Sequence, residues 1–282
     1  MNSIDVLAAL LSALLHAGWN AAVKADRHPA QAMTAQMLLG AVLVAPALLW
    51  SGLPAPAAWP WVVASTLMNL FTVAALLRAY ELGGFGLVYP VVRAVAVLFV
   101  VPLAAVLTGE RFGPAALAGI VVIALALGVL ALDAARDRTV TLKALAWTLA
   151  AGLGTAAYIM CDARGVRASG NPWSYGFVVS ITNAAAMYAT TRWRQRAAGS
   201  PWQQMDGRWA TALPTALASM ASYLLILWVW SHAPVAPAAA LRDTSSVFAI
   251  LIAVVWLKEP FTRTRIAAVL LAAAAVPLLR MG

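Results

Sequence analysis

Apolar runs of about 20 residues, the length a helix needs to cross the hydrocarbon core, recur along this whole sequence. Of 282 residues, 63% are hydrophobic and only 10% charged, against about 25% charged in a soluble domain. The reading is an all-α membrane protein that crosses the bilayer repeatedly. Ten segments can be delimited, at 4–23, 31–50, 58–80, 84–107, 113–132, 141–161, 172–191, 208–231, 235–257 and 262–280. Their ends fall at Pro29, Pro54, Pro56, Gly83, Gly84, Gly113, Pro114, Asn171, Pro172, Gly199, Pro201, Pro234 and Pro260, residue types that punctuate helices. The longest connection, about Arg192 to Gly207, leaves no room for a soluble domain. No basic stretch precedes the first apolar run, so the first helix is expected to be retained.

One segment is used twice. Tyr89 to Arg111 reads YPVVRAVAVLFVVPLAAVLTGER, and Ala238 to Pro260 reads AAALRDTSSVFAILIAVVWLKEP. An offset of 149 places Arg93 on Arg242, Phe99 on Phe248 and Glu110 on Glu259. Each copy has an arginine inside the apolar run, then sixteen residues, then a glutamate at the exit. Ten transmembrane helices containing this repeat divide into two five-helix repeats, 1–137 and 138–282. Because five is odd, the second repeat enters from the opposite side. Inverted repeats of this kind place a substrate site near the midplane between them. A weaker echo aligns Trp19 in HAGWNAAVK with Tyr158 in GTAAYIMCD.

The net charge of +9 lies mostly in short loops, where basic residues set orientation and meet anionic headgroups. No compact basic and aromatic surface exists for a nucleic acid. Twelve loop cations on one side against four on the other put both termini outside. Cys161 is the one cysteine, which excludes an intramolecular disulfide, and nothing has metal-site spacing. No cofactor or metal is expected. The three histidines, His16, His28 and His232, lie far apart. A membrane enzyme acting on a lipid-linked substrate would need clustered acids, histidines or cysteines, so the chain is not read as an enzyme.

Arg93 and Arg242 are the sharpest signal. An arginine at mid-helix costs at least about 2.5–3.5 kcal/mol on insertion scales, so it should face a cavity or a partner. Asp243, Glu81 or Asp162 could serve as structural counter-charges. Arg78, Arg93 and Arg242 set against one deep carboxylate, Asp243, leave a positive surplus that a bound anion would neutralise. Guanidinium forks suit carboxylate or phosphonate oxygens. Ser246 shares a helical face with Arg242, and Tyr89 shares one with Arg93, while Asp243 points about 100° away from Arg242. Pro90 and Pro102 inside the fourth helix would free carbonyls towards a cavity or simply kink the packing.

His16 and Asn20 share a face beside Trp19. If transport is proton-linked, His16 or Asp243 is the candidate proton site; otherwise His16 is a hydrogen-bonding residue. Gln36, Asn69, Arg78 and Asn183 read as cavity lining or as glue between helices. Tyr80, Tyr158, Tyr223, Trp228 and Trp230 read as cavity wall or interface belt. Glu110 and Glu259 are expected to cap the next helix. The fifth and tenth segments are packing or dimerisation helices, so a homodimer is one expectation.

The stretch YELGGFGLVYPVVRAVAVLFVVPLAAVLTGERFGPAALAGIVVIALALGVLAL resembles the repeat of EamA-type members of the drug/metabolite transporter superfamily. Pro90, Gly109-Glu110, Gly119 and Gly128 match that repeat. The second copy keeps Glu259 but has Lys258 for the glycine and Ala239 for the first proline. HAGWNAAVK also looks like a branch associated with phosphonate metabolism, which the arginines would suit. The resemblance implies ten helices in two inverted repeats and a secondary transporter, often an exporter of amino acids or other metabolites, in the cell (inner) membrane. It also implies cytoplasmic termini, against the charge count. The expected partner is a small anionic or zwitterionic molecule within the lipid bilayer. The rival cargoes are hydrophobic drugs and lipids or lysolipids. A cation exporter would prefer an intramembrane glutamate, whereas a lipid phosphate would suit Arg93.

Overall fold

The computed structural model describes residues 1–26, 29–83, 85–135, 141–194, 209–256 and 262–281, and these contain no strand. Every apolar segment is helical: α1 (Ser3–Ala25), α2 (Pro29–Ser51), α3 (Trp59–Gly83, entered through a 3-10 turn at Pro56–Ala58), α4 (Phe85–Thr108), α5 (Pro114–Ala135), α6 (Leu142–Ala168), α7 (Pro172–Arg194) and α8 (Trp209–His232). The ninth segment forms two helices, α9 (Val235–Asp243) and α10 (Ser245–Trp256), and the tenth is α11 (Arg263–Met281). Two starts follow from capping chemistry. Asn2 and Asp5 form a reciprocal box at the head of α1, and the Thr141 hydroxyl accepts from the Ala144 N–H at 3.1 Å at the head of α6.

By length and apolarity seven stretches qualify to cross a membrane: Ser3–Val23, Gln31–Ser51, Pro56–Leu82, Val91–Thr108, Pro114–Leu132, Leu142–Ala168 and Ala210–His232. Among the rest, α7 is diluted by Ser174, Ser180, Thr182, Asn183, Thr190 and Thr191; the ninth segment is split, and the apolar part of α11 is shorter.

The split falls where no proline stands. α4 runs unbroken through Pro90 and Pro102, whereas its counterpart is interrupted at Thr244. There the Thr244 hydroxyl donates to the Leu241 carbonyl at 2.6 Å, and the Val247 N–H bonds back three residues to the Thr244 carbonyl at 2.8 Å. The Thr244 side chain thus competes for a backbone carbonyl at the point where the chain tightens into a 3-10 step.

Packing respects an exchange of the two halves. α3 lies along α6 and α1 along α8, so the first helix of each half meets the third of the other. α2 meets α7, α4 meets α9, and α5 meets α11. The expected role of α5 and α11 as packing helices is thus met within one chain. Gly119 sits so close to α11 that a Cβ there would come within 2.8 Å of Leu279 Cγ.

One end of the bundle is tied by charge. His232 at the end of α8 contacts Asp5 at the start of α1, at 2.8 Å. Glu110, turned inward after Gly109 (φ 69°), accepts the Val235 N–H at 2.9 and 3.0 Å and so caps α9 rather than the next helix. Arg167 donates to the Trp230 and Ala233 carbonyls at 2.9 and 2.8 Å and reaches Glu110 at 3.4 Å. Glu259, with Lys258, Arg27 and His28, lies outside the described residues.

Candidate functional site

A buried charged cluster forms where α4, α9, α1 and α6 meet. α4 contributes Arg93 and Tyr89; α9 ends in Arg242 and Asp243; α1 brings His16, and α6 brings Tyr158 and Asp162. Arg93, Arg242, Asp243 and Asp162 are each exposed by 7% or less. Arg93 Nη1 donates to Asp243 Oδ1 at 2.9 Å, and its Nη2 donates to His16 Nε2 at 2.6 Å. A guanidinium has no acceptor, so Nε2 of His16 must accept. The imidazole is then the neutral tautomer with its proton on Nδ1. Arg93 also lies over the Tyr89 ring, 5.2 Å from its centroid, and within electrostatic reach of Tyr158.

Arg242 is differently placed. Its carbon Cζ lies 5.9 Å from the Trp230 ring centroid, and it acts electrostatically on His16, Asp162 and Asp243. Yet its Nε and Nη1 are buried with no hydrogen-bond partner among the described residues. Asp243 Oδ2 and the hydroxyls of Ser245 and Ser246 are unpartnered too. Buried donors and acceptors without partners among the described residues thus gather at the break between α9 and α10.

Asp162 holds the other side. Ser65 Oγ and Tyr175 OH donate to its Oδ1 at 2.6 and 3.1 Å, and Tyr223 OH donates to its Oδ2 at 2.9 Å. The charge surplus expected from sequence is therefore absent. Two arginines face two carboxylates, because Arg78 lies elsewhere. It is exposed near the end of α3 and pairs with Glu81 at 2.8 Å.

The other candidates divide. Trp19 stands edge-on to His16 with centroids 5.0 Å apart, and Tyr80 is within electrostatic reach of Tyr89 and Arg93. Asn20 is turned along its own helix, donating to the His16 carbonyl at 2.8 Å. Asn69 and Asn183 are half-buried on α3 and α7, and no hydrogen bond joins them to the cluster among the described residues. Gln36 is buried on α2, also apart. Trp228 meets His232 edge to face at the tied end, away from the site. A separate cleft of about 370 Å³ lies between α2, α3 and α7, lined by Thr34, Leu67, Phe71, Leu77, Met187 and Thr190; neither arginine reaches it.

Sequence reasoning undervalued Asp162, Ser65 and Tyr175. The sixth segment was expected to end at residue 161, but α6 continues to Ala168, which carries Asp162 inside the bundle. An acid flanked by apolar turns on both sides was the available signal.

A bundle of apolar helices closed around paired charges, with two halves packed in exchange, is the architecture of a polytopic membrane protein. A sequence model of the EamA-like transporter family matches residues 3–132 and 142–281, so the chain belongs to that family, a family of transporters, and carries two of its repeats. No curated protein matches. A solved structure described only as the crystal structure of a protein is similar in fold, with TM-score 0.73 and 18% identity over 99% of this chain and 96% of its own.

Proposed function

We propose that this protein is a secondary active transporter of a small organic anion or zwitterion, working by alternating access in the cell membrane. Arg242 would hold the anionic group, with Arg93 oriented beside it by Asp243 and His16. In this reading the ten helical segments all cross the bilayer, as two inverted five-helix repeats, 1–137 and 138–282. The observation that carries it is the pair of buried, unpartnered N–H groups on Arg242. Desolvated guanidinium N–H groups left open are costly, and a carboxylate or phosphonate oxygen suits such a donor. The open Asp243 Oδ2 would accept from the ammonium of a zwitterion.

The test is thermal stabilisation of the detergent-purified protein by amino acids, aminoalkylphosphonates, carboxylates, lysophospholipids and quaternary amines. A shift with anions or zwitterions that Arg242→Ala and Arg93→Ala lose supports the reading. A shift confined to cations, or retained by both variants, overturns it. The apolar cleft between α2, α3 and α7 favours a second reading, a lipid or lysolipid as cargo. Stabilisation by lysophospholipids that Phe71→Ala loses would select it.

A further inference from the structure

With both carboxylates ionised, the formal charges in the site sum to zero before any cargo arrives. Arg93 and Arg242 carry two positive charges, Asp162 and Asp243 two negative ones, and His16 is neutral by its hydrogen bond. A monoanion bound to Arg242 would leave the cluster with one uncompensated negative charge in a low-dielectric interior, which burial penalises heavily. It would also lie near Asp162, on which Arg242 acts electrostatically. Two acidic groups near one buried cation relieve the conflict when one takes a proton.

Three groups could take it, and their partners discriminate between them. Protonating His16 would set its new N–H against an N–H of Arg93, 2.6 Å away. Protonating Asp243 would weaken the charge-assisted bond that neutralises Arg93 at 2.9 Å. Asp162 is different. Its three hydrogen-bond partners are hydroxyls, Ser65 from α3, Tyr175 from α7 and Tyr223 from α8. Each can donate or accept. The network can therefore satisfy a carboxylate with three donors, or a carboxylic acid after one hydroxyl turns around. The other titratable groups facing Asp162 are Arg242 from α9 and Cys161 beside it on α6. Arg93 of α4 is committed to Asp243 and His16.

We propose that Asp162 takes up one proton from solution as an anion binds to Arg242, so that cargo and proton occupy the site together. The proton bonds to a carboxylate oxygen of Asp162, no bond breaks, and the loaded site is again neutral. The proposal rests on the anion reading of Arg242. A zwitterion brings both charges and takes up no proton.

The experiment is titration calorimetry of the full chain in detergent with acetate, butanoate and hexanoate, in two buffers of different protonation heat. The same titrations are repeated with an α-amino acid. The expected result is one proton taken up per carboxylate bound, with affinity falling about tenfold per pH unit. Asp162→Asn should bind with no proton uptake and no pH dependence. Infrared difference spectra of the unmodified protein should gain a carboxylic-acid C=O band on carboxylate binding. Ser65→Ala and Tyr223→Phe should each shift that band, which keeps the test sound if Asp162→Asn fails to fold. Carboxylate binding without proton uptake overturns the proposal. So does uptake that persists in Asp162→Asn, which would move the proton to Asp243 or His16. If the amino acid binds through Arg242 and no carboxylate does, the proton site falls while the transporter reading stands. If nothing in the set binds, both fall.

Discussion

Arg93 is held by three different interactions, and they should not weigh equally. Asp243 neutralises its charge, His16 accepts one hydrogen bond, and Tyr89 lies against the guanidinium. Removing one partner of a buried ion pair costs about 3–5 kcal/mol, because the other charge stays buried. Asp243→Asn is therefore expected to lower the melting temperature sharply in detergent. His16→Phe removes one hydrogen bond to a charged group, about 1.5–3 kcal/mol, and should melt between that variant and the parent. The double change Arg93→Met with Asp243→Leu should recover much of the loss while abolishing any anion response. A double change no more stable than Asp243→Asn would refute the ion-pair account. Close approach sets a second limit. A Cβ at Gly165 would overlap the ring of Tyr175, whose hydroxyl donates to Asp162. Gly165→Ala should cost about 1–3 kcal/mol as an overpacking change, and Gly165→Ala with Tyr175→Phe should not cost twice as much. Two independent losses in a melting series would contradict that coupling.

At the scale of helices, the informative elements are α4 and its broken counterpart. The arginine, the spacing and the exit glutamate were legible because each is local and recurs at one offset. What each residue touches was not legible. Glu110 caps Val235, 125 positions away, and only the packing of α4 against α9 brings them together. The interruption of the ninth segment was hidden for a related reason. Prolines advertise a break, yet α4 absorbs Pro90 and Pro102, while the chain tightens at Thr244, whose hydroxyl bonds the Leu241 carbonyl. Asp162 was legible only as a candidate counter-charge, because apolar periodicity fades before helix α6 does and the span drawn to residue 161 stops short of the helix end at Ala168. Arg78 erred in the opposite direction, since an arginine near a helix end can reach Glu81 outside the core. Glu110→Ala removes the cap from α9 and the partner of Arg167. A loss of about 1–2 kcal/mol is expected. Glu110→Gln should recover part of it, since an amide oxygen still accepts from the Val235 N–H. Equal melting of the two variants would mean that charge, not capping, dominates there.

For the molecule as a whole, the exchange of halves is complete in topology but not in detail. α3 lies on α6 through a carboxylate network at Asp162, whereas α1 lies on α8 through paired hydroxyls. Ser12 Oγ donates to the Ser222 carbonyl at 2.7 Å, and Ser222 Oγ donates to the Ser12 carbonyl at 2.8 Å. Among the described residues the midpoint of one crossing thus holds a buried carboxylate, whereas the other holds hydroxyls there and keeps its ion-pairing residues, Asp5 and His232, at the end of the bundle. The balance of two arginines against two carboxylates has a consequence for energetics across a living membrane. A potential does about 2.3 kcal/mol of work per elementary charge per 100 mV, but a carrier whose interior charges cancel offers it nothing to push. The empty form should reorient at a rate that voltage does not change, and so should a form loaded with one anion and one proton. In liposomes, clamping the potential with valinomycin should leave carboxylate uptake unaltered while an imposed pH gradient drives it. The direction of net movement would then follow the cargo and proton gradients together, and a cell that changed its membrane voltage without changing its pH would leave this pathway running at the same pace.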